Sequence, residues 1–214
     1  SNINKQNRKV ANEYLTQTIC PYKLIFLRQL CYNLGHNRIL DFERRSDMEY
    51  WDIYDADKQL TGRTMKRNDW ILKDGEYHLS VLGVIRRSDG RFLITRRVMT
   101  KAWAPGWWEV SGGGCMAGET SFEAVCREVF EETGLDVSAA PSELVLTYHR
   151  ENPGKGDNYF VDVYRFVMDF DDDQVVIQQD EADGYMLASA EDIAGLGEDG
   201  VFLHYDSIKE VFKL

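Results

Sequence analysis

No stretch of this 214-residue chain approaches the roughly 18 consecutive apolar residues that a membrane-spanning helix needs, so no such helix is expected. The short apolar run Leu24 to Leu27 lacks the length and the cleavage pattern of a secretory signal. Cysteine is sparse: Cys20, Cys31, Cys115 and Cys126 show neither zinc-ligand spacing nor the density of a disulfide framework, which suits a reducing, cytoplasmic setting. Basic charge is also short. Against 36 Asp/Glu stand 25 Lys/Arg, and the net charge of -11 disfavours nonspecific binding to nucleic acid or anionic membrane. Small anionic substrates stay open, because a local metal ion and a few basic groups can outweigh the overall field.

The charge is unevenly placed. Residues 1–47 hold eight Lys/Arg and four Asp/Glu, net +4, whereas the 17 basic and 32 acidic residues of 48–214 give -15. Residues 1–47 are therefore read as an N-terminal helical extension. One helix carries Val10, Tyr14 and Leu15, and a second runs through Leu24, Leu27, Leu30, Cys31 and Leu34 to end at Gly35. This segment is expected to dock on the domain or on a partner. Ser1-Asn2 reads as a cloning remnant, and Met48 is a second candidate for the native start. Residues 48–214 are read as one catalytic domain, long enough to bury a substantial core.

What the chain does have is concentrated in residues 113–135, GGCMAGETSFEAVCREVFEETGL. Thr120-Ser121-Phe122-Glu123 has the form of a capping box, so a helix should begin near Thr120 or Ser121, and Gly134 can close it in a left-handed cap. Phe122, Val125, Cys126 and Val129 recur at the spacing of one helical face and should pack on a core. Glu128, Glu131 and Glu132 stand at i, i+3 and i+4, so their side chains share one stripe beside that face. Taken alone, such a stripe can simply be a solvated helix surface. Upstream lie Glu119 and the glycine loop Gly112-Gly113-Gly114, whose backbone can come close to a ligand and add carbonyl oxygens to the carboxylates. Hard divalent cations favour such oxygen sites. Mg2+ commonly binds through one or two carboxylates plus substrate phosphates, which makes a diphosphate the natural partner.

The same run resembles the box of the Nudix hydrolase family at every specified position: Gly113, Glu119, Arg127, Glu128, Val129, Glu131, Glu132, Gly134 and Leu135. A chance match at this many positions is expected on the order of once in 10^9 starting points. The resemblance implies an α/β fold, an α/β/α sandwich with a mixed sheet. It also implies Glu128 and Glu132 as the main ligands of Mg2+, with Mn2+ as a substitute, and Glu131 as a further ligand or proton acceptor, beside the Gly113 backbone. Arg127 would orient the carboxylates, and Glu119 would brace the loop or a metal-bound water.

Outside the box, His78 to Arg86 and Phe92 to Arg96 read as two strands joined at Asp89-Gly90, and Trp107 to Val110 as a short strand feeding the glycine loop. Glu143 to Arg150 and Tyr159 to Met168 read as an antiparallel pair around residues 152–156. Ser189 can open a helix, and His204 to Phe212 looks like a closing one. Strands interspersed with helices point to a mixed sheet covered by helices.

Within the family, residues 48–55, Leu60-Thr-Gly-Arg63 and Thr95-Arg-Arg97 followed by Lys101-Ala-Trp103 are similar to the isopentenyl-diphosphate isomerase-like branch. That branch's diphosphate grip carries over onto Lys66, Arg97 and Lys101, which suits the fork of Arg and the point charge of Lys. The isomerase acid does not carry over. Its cysteine matches Gly112, its histidine two residues on matches Gly114, another matches near Trp70, and His78 alone survives, while Cys115 lies three residues too far along. Hydrolysis by a metal-activated water is the chemistry expected, on a nucleoside diphosphate derivative or a related organic diphosphate. Isomerase-like activity and a catalytically silent nucleotide-binding module are the alternatives. Glu181, in the acidic loop before the Ser189 helix, falls where related enzymes place a further catalytic carboxylate. Trp103, Trp107, Trp108 and Tyr159 are available for stacking or for packing. The partner expected is a small-molecule diphosphate, with neither nucleic acid nor membrane, and, if the chain self-associates, a second copy in a homodimer.

Overall fold

The computed structural model describes residues 49–213 apart from Pro153, all within the compact unit Met48–Leu214. The helices expected within residues 1–47 lie outside the described residues.

Among the described residues, nine strands and three helices follow in order: β1 (Tyr50–Tyr54), β2 (Leu60–Lys66), β3 (His78–Arg86), β4 (Phe92–Arg97), β5 (Trp108–Glu109), β6 (Ser111–Gly114), α1 (Ser121–Thr133), β7 (Ser142–Arg150), β8 (Tyr159–Val167), β9 (Ala182–Ala188), α2 (Ala190–Glu198) and α3 (Tyr205–Ile208), the last continued by a 3-10 turn, Lys209–Phe212. β1 and β2 make a separate antiparallel hairpin. The other seven strands form one mixed sheet with the path β5-β4-β3-β8-β7, to which β6 adds on β3 and β9 on β4. The β3–β8 pair is parallel and its neighbours are antiparallel.

Period-two alternation along β3 divides the core. Leu79, Val81 and Ile85 pack with Val125, Val129, Phe160 and Phe166 on the face covered by α1. Leu82 and Val84 pack with Val161, Val163, Ile193 and Phe212 on the face covered by α2 and the C-terminal turn. Burying each such side chain is worth roughly 1.5–3 kcal/mol. Helices on both faces of a mixed sheet make the α/β/α sandwich. Gly83 lets α1 approach closely, since a Cβ there would stand 2.6 Å from Val129 Cγ2.

Two segments differ from their sequence reading. The glycine run is strand β6, with Gly112, Gly113 and Gly114 opposite Leu82, Val81 and Ser80. Pairing with β3 supplies the order that three residues without side chains cannot specify by pattern. Ala182 and Asp183, read as the end of an acidic loop, open strand β9, which pairs with β4.

Candidate active site

Helix α1 starts and stops where its local chemistry dictates. Thr120 caps it in a reciprocal box with Glu123, and Gly134 ends it at φ 74°. Ala124, Val125, Cys126 and Val129 are buried on its inner face, which brings Glu128 and Glu132 against β6 and leaves Glu131 toward solvent.

Arg127 is the hub. Its Nε donates to Glu119 Oε1 at 2.8 Å and its Nη2 to Glu119 Oε2 at 2.9 Å. Nη1 reaches Glu128 Oε1 at 2.7 Å and Glu131 Oε2 at 3.3 Å, and Nη2 also donates to the Gly114 carbonyl at 3.1 Å. Burial works against the charge of this guanidinium, but Glu119 and Glu128 hold its pKa above the ordinary arginine range. Glu119 in turn accepts from the Met116 N–H at 3.0 Å, tying the turn after β6 into the same network. On the far side of the stripe, Glu132 Oε2 accepts from the Gly112 N–H at 3.3 Å.

One arginine cannot balance these carboxylates. Burial pushes Glu132 well above the ordinary carboxylate range, and the nearby charges of Glu109 and Glu128 push it further. Burial also raises Glu128 and Glu131, with Arg127 opposing it in both. Among the described residues no three acidic, histidine or cysteine side chains are gathered into a metal cage, and Arg127 pairs with Glu119, Glu128 and Glu131. The donor set nevertheless fits a divalent cation: hard oxygens, crowded and mutually repelling, next to a glycine strand that leaves room for an approaching ligand.

Backbone pairing brings the opposite wall together. The loop between β4 and β5 is closed by the Arg97 N–H to the Trp107 carbonyl at 2.9 Å, and it presents Lys101 and Trp103. Arg97 grips Glu109 through Nη1, at 3.1 and 2.9 Å, and donates from Nη2 to the Trp103 carbonyl at 3.2 Å. Lys101 pairs with Glu181, just before β9. Arg97, Lys101 and Glu181 therefore share this wall, each basic group held by a carboxylate. Lys66 does not join them. In β2, Met65 turns inward to Trp51 and Ile53, so period-two alternation puts Lys66 on the outer face, and Arg67 follows in the turn after the strand. Arg67 lies 5.9 Å above the Trp51 ring and pairs with Glu49 at 2.6 Å, and its charge opposes the rise of Glu128.

Sequence reasoning missed Glu109, Glu49 and Arg67. Glu109 stood only as a residue of a short strand, and its nearness to Glu132 comes from a long-range pairing that no local spacing signals.

The isomerase positions are closed. A Cβ on Gly112 would stand 2.3 Å from the Val81 carbonyl oxygen, and one on Gly114 would stand 2.8 to 3.0 Å from the Trp51 indole. The surviving His78 is buried, stacked on Trp51 at 4.3 Å, with its Nε2 3.4 Å from Asp157 Oδ1. Cys115 is buried in the α1-side core, where burial raises its thiol pKa.

A cleft of about 250 Å³ opens beside β6, lined by Gly112 and Gly113 and by Ser80, Arg97, Trp103, Glu109, Tyr159 and His204. Of the four aromatic candidates, Trp103 and Tyr159 line it. Trp108 packs instead against the α2-side core.

Comparison with known proteins agrees with this geometry. The model of the NUDIX domain matches residues 76–209. An uncharacterised Nudix hydrolase of Listeria monocytogenes is 30% identical over 168 residues, spanning 78% of this chain and 95% of that protein. An isopentenyl-diphosphate Delta-isomerase of Leifsonia xyli is 41% identical over 70 residues, spanning 32% of this chain and 38% of that protein. In three dimensions the chain is similar to DR0079 from Deinococcus radiodurans, with a TM-score of 0.60 at 20% identity over 77% of this chain and 97% of that one, a likeness of fold. With its box intact and its domain matched over most of its length, the chain belongs to the Nudix hydrolase family, which acts on phosphorus-containing anhydrides.

Proposed function

We propose that the chain is a divalent-metal-dependent, Mg2+-preferring pyrophosphohydrolase acting on a nucleoside diphosphate derivative or related organic diphosphate. The observation that carries this reading is the Arg127 hub, which holds Glu119, Glu128 and Glu131 beside the glycine strand while Glu132 faces it from the other side. Glu128 and Glu132 would hold the metal, with Glu131 and the Gly113 carbonyl available to it. The ion would supply charge neutralisation at the bridging oxygen and a lowered pKa for bound water. Arg127 fixes the carboxylates in place, and its bonds to the Gly114 carbonyl and Glu119 keep the glycine strand and the following turn in register with α1. Glu131, at the solvent end of the stripe and 36% exposed, is placed to accept a proton from an attacking water. Arg97 and Lys101 would bind the diphosphate by exchanging part of their bonding from Glu109 and Glu181 to phosphate oxygens. Glu181, released from Lys101, then becomes available as the further carboxylate.

An isomerase reading has no acid to use, because Gly112 faces a backbone carbonyl where a side chain would have to be. The test is Mg2+-dependent release of phosphate-containing product from a panel of organic diphosphates. A chain that binds nucleotide but turns over nothing on that panel would be a binding module instead.

A further inference from the structure

The proposed hydrolase leaves the non-phosphate part of its substrate undefined, and the cleft beside β6 bears on it. Trp103 is 61% exposed, which is unusual for so large an apolar side chain, yet it is not loose. Arg97 holds its backbone carbonyl and lies 5.8 Å above its ring, so the indole is fixed at the rim with one face supported. The His204 ring is 6.2 Å away. His204 reaches this place because Leu203 donates to the Trp108 carbonyl at 2.8 Å, docking residues 201–203 along β5. It sits in the left-handed region at φ 58°, unfavourable for histidine and common where a side chain is held for function. Burial, with Arg150 and Arg97 nearby, lowers its pKa to about 4, so at neutral pH it offers an uncharged ring. Ser80 and Tyr159 line the cleft with hydroxyls, and Arg97 and Glu109 compensate each other's charge.

Val81, Leu82, Val110, Val161 and Leu203 also belong to the lining, but its aromatic and polar members are ones that a branched aliphatic chain would leave unused. The lining presents a supported aromatic face, a second uncharged ring and edge groups that both donate and accept hydrogen bonds. It also runs directly into Gly112 and Gly113, which contact Glu132 and Glu128.

We infer that Trp103, with His204, is the specificity-determining platform of this enzyme, stacking a flat heteroaromatic ring on the substrate while the phosphates lie toward β6. This rests on the hydrolase reading for the orientation of the phosphates, but ring binding can be measured without turnover. The probes are AMP and ribose 5-phosphate, which share the sugar phosphate and differ by the ring, titrated calorimetrically into the full chain with Mg2+. Stacking on an aromatic side chain typically changes affinity by about tenfold or more. The wild type should bind AMP at least about tenfold more tightly than ribose 5-phosphate. Trp103→Ala should reduce that ratio below about threefold, and Trp103→Phe should keep most of it. A wild type that binds the two equally, or binds neither, overturns the inference, as does a preference that survives Trp103→Ala. If AMP binds through Trp103 while no organic diphosphate is turned over, the platform stands and the hydrolytic reading falls.

Discussion

Glu128 lies directly against Gly113: a Cβ built on that glycine would stand 2.4 Å from Glu128 Oε1 and 2.5 Å from its Cδ. The absence of a side chain at position 113 is therefore what allows the carboxylate to sit on the glycine strand. Gly113→Ala should displace Glu128 and lower kcat on the order of 10²-fold, while the cooperative thermal transition is kept. Steady-state kinetics beside a melting curve test this, and near-normal kcat would show that Glu128 need not occupy that place.

The hairpin β1–β2 is fastened through a buried ion pair. Asp162, in the middle of the α1 face of β8, accepts from Lys58 Nζ at 2.5 Å and from Thr147 Oγ1 at 2.6 Å. Lys58→Met leaves that carboxylate without its cation and should cost roughly 2–4 kcal/mol of stability, below the fully buried case because Lys58 keeps 28% of its exposure. Adding Asp162→Asn should recover part of the loss, since the amide can still pair with Thr147. Urea denaturation of the single and double variants checks both, and an unchanged midpoint for Lys58→Met would show the pair to be unimportant.

Much of this arrangement is legible in the sequence, for reasons that are local. Thr120 and Glu123, three residues apart, mark the start of α1 and Gly134 marks its end, each by chemistry within one turn, and Asp89-Gly90 marks the hairpin between β3 and β4. What is not legible depends on distant partners. Ser111 to Gly114 has no alternating side chains to announce a strand and becomes β6 only by pairing with β3. Glu109 meets Glu132 across 23 residues, and Arg67 lies over Trp51 with its charge acting on Glu128, while Lys66 falls on the face of β2 opposite the inward Met65.

The difference between Lys66 and Arg67 has a kinetic consequence. Arg67→Ala should raise the KM for an organic diphosphate several-fold and leave kcat closer to normal. Lys66→Ala should raise it less. The reverse order in a Michaelis analysis would restore Lys66 to the phosphate grip.

His204 links stability to pH. Its pKa falls from an ordinary 6.5 to about 4 in the folded chain, so between those values the unfolded chain binds a proton that the folded chain does not. Its contribution should be constant above about pH 6.5 and should then diminish as pH falls toward 4, by roughly 1–3 kcal/mol after allowance for its partial exposure. His204→Asn tolerates the left-handed backbone and has no such titration. Denaturation from pH 7.5 to 4.5 should therefore show a shallower decline for the variant, and parallel curves would mean that His204 titrates normally.

The carboxylate stripe is the centre of this account, and Glu132 is its most deeply recessed member, facing Gly112 with burial and the neighbouring carboxylates Glu109, Glu128 and Glu181 raising its pKa. The decisive measurement is Mg2+-dependent release of phosphate-containing product from organic diphosphates by the wild type and by Glu132→Gln, with folding of both confirmed by their melting transitions. The expected result is turnover that is abolished by chelation and reduced by at least about 10²-fold in the variant. A Glu132→Gln chain that hydrolyses as fast as the wild type, or wild-type turnover indifferent to chelator, would contradict the account.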